Sequence, residues 1–86
     1  MNIDELKKKI IYRSNYRGTK EMDKLLGAFT KEYINDLSDD DLFKLEKLLN
    51  IDDSNLYNFL NGLETEVVIE ENYVTNLFKN FEYVDK

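Results

Sequence analysis

Residues 37–49, Leu37-Ser38-Asp39-Asp40-Asp41-Leu42-Phe43-Lys44-Leu45-Glu46-Lys47-Leu48-Leu49, decide the fold class. Ser38 carries the hydroxyl of a helix N-cap, and Asp41 stands at the third helical position. Asp39 and Asp40 place negative charge where the helix dipole is positive. Leu37 can staple onto Leu42 from outside the helix. Leu42, Leu45, Leu48 and Leu49 then recur at helical spacing, with Phe43 widening the stripe. Asn50 and the polar Asp52-Asp53-Ser54 break the pattern.

The same grammar extends in both directions. Upstream, Asn2 with Glu5 starts a helix over about residues 3–13, with Ile3, Leu6, Ile10 and Ile11 at helical spacing. Residues 14–18 form a short connection of the kind that joins neighbouring helices. A second helix begins near Thr19 and ends near Asp36, on the stripe Met22, Leu25, Leu26, Phe29, Tyr33 and Ile34. Downstream, a fourth helix follows Asp52-Asp53-Ser54 with Leu56, Tyr57, Phe59, Leu60 and Leu63 as apolar positions, and Asn61-Gly62 stops it. Val67, Val68 and Ile69 have strand character, but no second apolar run exists to pair with them. Tyr73, Val74, Leu77, Phe78 and Phe81 return to helical spacing, so the fifth helix is expected over about residues 67–80, with residues 82–86 fraying. With no proline and three glycines, the expected fold is all-α: a small bundle of four to five short helices in one domain, residues 1–86, with its core over about 3–80.

An 86-residue chain is expected to bury about 60–65% of its unfolded surface, within a radius of gyration of about 12 Å. That leaves little room for an internal cavity. The chain is 42% hydrophobic and 13% aromatic, too apolar for disorder, and 35% charged, which implies a heavily solvated surface. It has no cysteine and no histidine, which excludes disulfides, thiolate zinc sites, histidine metal sites and triads with a histidine base. The aspartates at 39–41 and 52–53 lack the alternating ligands, the glycine and the terminal glutamate of an EF-type calcium loop. No apolar run approaches a membrane span, and the N-terminus has no secretory h-region, so a cytoplasmic or matured matrix protein is expected.

Charge is unevenly divided. Residues 1–24 hold seven cations against four carboxylates, a balance of +3 that leaves −9 of the net −6 for the other 62 residues. A basic first quarter on an acidic body suits an acidic protein surface or a phosphate-bearing ligand, whereas duplex nucleic acid would be repelled by most of the molecule. Lys7, Lys8 and Lys9 also fit a solvated face near a helix C-terminus.

Within that quarter lies Arg17-Gly18-Thr19-Lys20-Glu21-Met22-Asp23. Gly18 can take a positive φ and lets another backbone approach, while Thr19 caps the helix and Glu21 and Asp23 load its first turn. Arg17 and Glu21 would then flank a patch of bare main chain, both exposed, with alanine changing stability by about 0.5 kcal/mol or less at Arg17 and nearer 1 at Glu21. The same residues also fit an ordinary turn between two helices.

In order, Arg17-Gly18-x-x-Glu21-x-Asp23, Phe29, Tyr33, Leu37-Ser38-Asp39, Leu48-Leu49, Asp52-Asp53, and Leu56 with Leu60 resemble the succinate dehydrogenase assembly factor 2 family, small flavinylation factors of bacteria and mitochondria, over about residues 3–63. The resemblance implies a five-helix, chaperone-like assembly factor that is not an enzyme. It would bind the flavoprotein subunit of succinate dehydrogenase, and in some bacteria of fumarate reductase, promoting covalent attachment of FAD while holding no cofactor stably itself. The implied contact is Arg17, Gly18 and Glu21, closed by Asp23, with Arg13, Tyr16 and Lys20 taken as flanking partner-binding residues. Tyr16, Thr19 and Ser54 depart from the family pattern, where arginine, methionine and proline are common, and leave the Arg-Gly and Glu core intact. The expected state is a monomer without metal, nucleic acid or membrane insertion. A histidine-free chain has no group suited to proton transfer near neutral pH, so the client's own histidine would link to the flavin. Two rivals are a helical adaptor for an unrelated acidic protein and an independent FAD binder. The second has no phosphate-binding glycine loop or Rossmann pattern to support it.

Overall fold

The computed structural model describes residues 2–83 and contains five helices: α1 (Ile3–Asn15), α2 (Lys20–Tyr33), α3 (Asp39–Leu49), α4 (Asp53–Leu60) and α5 (Tyr73–Lys79). Every helix starts on a side-chain cap. Asn2, Thr19, Ser38, Asp52 and Asn72 each accept from a backbone N–H of the first turn, which satisfies donors that a helix leaves free. The Ser38 cap, with Oγ accepting from Asp41 N at 3.2 Å, is the one expected from its sequence.

Leu6, Ile10, Met22, Leu26, Phe29, Ile34, Leu42, Leu45, Leu48, Leu49, Leu56, Val74 and Phe78 form a single core. α1 packs on α2 and α3, and α5 packs on α3 and α4. Phe29 joins α2 to the C-terminal region edge-on, with ring centroids 5.4 Å from Phe78 and 5.3 Å from Phe81. The radius of gyration is 12.1 Å, as the chain length predicts.

Four features differ from the sequence reading. α1 continues to Asn15, so Lys7–Lys9 lie mid-helix, and Lys9 pairs with Glu46 of α3 at 3.0 Å. Ile11, Phe43, Tyr57 and Tyr73, read as apolar-stripe positions, are exposed, because a bundle of short helices covers a narrower arc of each helix than the periodicity allows, and Leu63 is exposed because it follows the turn that ends α4. α5 starts at Tyr73 and not near 67: Asn72 and Thr75 form a reciprocal capping box there. Upstream of it, Val67, Val68 and Ile69 belong to neither helix nor strand. Finally, α2 ends at Tyr33 and not near Asp36; Glu82 and Tyr83 are non-helical, as expected, and residues 84–86 of the expected frayed end lie outside the described residues.

The stop after α4 is as read, with a specific geometry. Gly62 takes φ 71°, Leu63 N donates to Asn58 O at 2.8 Å and Gly62 N to Phe59 O at 3.2 Å, which satisfies the last carbonyls in a Schellman arrangement.

Candidate functional site

The motif at 17–23 lies where the α1–α2 connection meets the junction of α3 and α4, and Arg17 holds that meeting together. Its Nε donates to Asp53 Oδ1 at 2.8 Å, one terminal nitrogen to Leu49 O at 2.6 Å and the other to Ile51 O at 2.6 Å. The guanidinium therefore caps the C-terminal end of α3, where free carbonyls and the negative end of the dipole both favour a cation. It reaches Asp53 at the first turn of α4 in the same act. The Arg17 side chain is 10% exposed and that of Asp53 21%, so this ion pair is largely withdrawn from solvent.

Gly18 completes the junction. Its N–H donates to the other oxygen of the same carboxylate, Asp53 Oδ2, at 2.9 Å, so one aspartate grips two successive residues of the turn. A Cβ at position 18 would stand 3.2 Å from Asp53 Oδ2, a tight approach that the carboxylate would have to yield to by a few tenths of an ångström, and the φ of Gly18 is not positive. Glycine serves here to admit the carboxylate: its N–H is taken by Asp53, while the residue itself stays exposed. Asp23 closes the turn from the other side by accepting from Arg17 N.

The expected exposure of Arg17 is thus corrected: its partners, 32 to 36 residues downstream in sequence, draw it into the fold. Arg13 is likewise engaged, donating to the Asn50 side chain at the end of α3. Glu21, Lys20 and Tyr16 are exposed, Tyr16 at 70%, with its ring 4.6 Å from that of Tyr12. Among the described residues no hydrogen bond or ion pair engages the Glu21 side chain. The motif separates into a half engaged with the rest of the fold, Arg17, Gly18 and Asp23, and an unengaged, exposed half led by Glu21.

Beside Glu21 opens a groove of about 370 Å³ between the first turn of α2 and the first two turns of α4, lined by Glu21 and Met22 on one side and Asp53, Tyr57 and Asn58 on the other. The position of Asp53 as the arginine's partner, and of Tyr57 across from Glu21, is not apparent from the sequence motif. The Asp52-Asp53 pair was the available signal: one aspartate caps α4 and the second is free to pair. At Asp52 the Asn55 side-chain amide, donating to Oδ1 at 2.6 Å, holds the carboxyl below its ordinary value. Buried Asn55 also accepts from Glu66 N at 2.7 Å and so ties the loop after α4 to its start.

Among the described residues no cluster of histidine, cysteine or carboxylate side chains could hold a metal ion, and no helix is long and apolar enough to cross a membrane. No solved structure matches the chain. Over 56 residues it is 36% identical to a protein named succinate dehydrogenase assembly factor 2, mitochondrial, of Debaryomyces hansenii, a match covering 65% of this chain and 39% of that relative. The family described as flavinator of succinate dehydrogenase matches residues 8–82, nearly the whole chain including the junction, and the protein belongs to that assembly-factor family.

Proposed function

We propose that this protein binds the flavoprotein subunit of succinate dehydrogenase and promotes covalent attachment of FAD to it, with Glu21 at the centre of the docking surface. The observation that carries this reading is the split in the motif. Arg17 and Asp53 fix the turn, and Glu21 stands exposed and unengaged on the helix that follows it. A rigid presentation of one charged group lowers the ordering cost of binding a partner.

The chain has no histidine, so proton transfer and flavin linkage belong to the client. The contribution of this protein is positional: it holds the client so that its histidine and the flavin methyl carbon meet in reacting geometry. FAD is bound by the client and not stably by this chain. Tyr16 and Lys20 extend the docking surface, while Arg13 supports it from within. The reading includes fumarate reductase as a second client and a monomer acting in the bacterial cytoplasm or the mitochondrial matrix.

The test is reconstitution of covalent flavin loading from the apo flavoprotein subunit, FAD and limiting amounts of this protein. Glu21→Ala is expected to change folding stability by no more than about 1 kcal/mol. Flavin loading should fall tenfold or more, the loss typical of a desolvated interface charge. Full loading by a variant that melts like the parent would remove Glu21 from the interface. Tight stoichiometric binding of FAD by this chain alone would replace the scaffold reading with a flavin carrier.

A further inference from the structure

We propose that the groove between α2 and α4 receives an arginine side chain of the client, with Glu21 taking the guanidinium and Tyr57 forming its aromatic wall. This rests on the docking surface proposed above and names the chemistry that the surface recognises. Three observations converge on it. Glu21 is an exposed carboxylate with no partner among the described residues, so it meets a cation without first giving one up. Tyr57, 54% exposed on α4, lines the same groove and offers the face on which a guanidinium stacks. Met22 and Asn58 also line the groove, a thioether side chain that suits an aliphatic stem and an amide that can accept a remaining N–H.

The electrostatics select a cation over an anion. Two helix N-termini border the groove and would attract a phosphate, but the first turns of both already carry acids. The charge of Asp53 is met by Arg17 and by Gly18 N–H, so Glu21 sets the net sign of the opening. The walls are also fixed in advance. Asp53 joins the turn before α2 to the first turn of α4, and the groove is open without rearrangement. Arginine fits better than lysine because its planar fork can engage a carboxylate while its face lies on a ring.

Binding of the purified apo flavoprotein subunit of succinate dehydrogenase to the full chain tests this. Tyr57→Ala should weaken it at least fivefold and Glu21→Gln at least tenfold, whereas Tyr57→Phe, which keeps the ring, should remain within twofold of the parent. Glu21→Gln should also flatten the salt dependence. Parent-like binding by Tyr57→Ala, or equal losses in Tyr57→Ala and Tyr57→Phe, overturns the proposal while leaving a docking role for Glu21 intact. If the parent fails to bind the flavoprotein subunit, the proposed client is wrong, and the groove is judged by amide shifts on titration with N-acetyl-arginine amide or inorganic phosphate. Shifts at Glu21, Tyr57 and Asn58 with the arginine compound support it. Shifts with phosphate alone, or with neither, overturn it.

Discussion

At Arg17 a single guanidinium makes three hydrogen bonds, two to carbonyls at the end of α3 and one to the carboxylate that begins α4. Removing it leaves Leu49 O and Ile51 O without their donor and Asp53 without its cation. Arg17→Ala is therefore expected to cost about 3 kcal/mol, the scale for breaking a largely buried, hydrogen-bonded pair, and not the small change expected of an exposed docking residue. Arg17→Lys should recover less than half of that, because one ammonium cannot span three acceptors in a fixed fork. Urea melts at constant m measure both, and a loss under 1 kcal/mol for Arg17→Ala would show that the junction is held by packing alone. The arginine, glycine and glutamate could be picked out as a functional group from their spacing. Their division of labour could not, since it depends on Asp53, 36 residues beyond Arg17, and nothing local to residues 17–23 points to it.

Among the helices, those with strong start signals were readable from sequence, because capping is local chemistry: Asn2, Thr19, Ser38 and Asp52 each bond within their own first turn. α3 combines such a start with a full apolar stripe. Leu48, 2% exposed within that stripe, should cost about 2 to 5 kcal/mol when cut to alanine, most of the stability of so small a domain. A loss below 1 kcal/mol in a urea melt would be incompatible with its place in the core. α5 starts at Tyr73 and not near 67: the β-branched residues 67–69 carry the apolar pattern upstream of the helix. The actual signal, Asn72 with Thr75, uses a threonine where a capping box more often has glutamate or glutamine. Asn72→Ala should remove that box and lower stability by about 1 kcal/mol, with hydrogen exchange rising first at the N-terminal turn of α5. Unchanged protection there would assign the start of the helix to packing by Val74 and Phe78.

Across the whole molecule the charge pattern and the absence of histidine fix the pH response. Aspartate, glutamate, lysine, arginine and tyrosine do not ordinarily titrate between about pH 5 and 8, so stability should be nearly flat there. The acid limb has an identified contributor. Asp52 caps α4, and the Asn55 amide that donates to it lowers its folded pKa below the unfolded value of 3.8. A carboxyl lowered in this direction stabilises the fold above its unfolded pKa, and that stabilisation disappears as pH falls through the folded pKa. Asp52→Asn keeps a side-chain oxygen able to cap the helix but cannot ionise. The parent should therefore melt above Asp52→Asn at pH 7, and the gap should close as pH drops from about 4 towards 2, where both carry a neutral cap. Thermal melts at the two ends of that range decide it. A gap independent of pH would mean that the carboxylate acts at α4 through its shape and hydrogen bonds, with its charge contributing nothing to the fold.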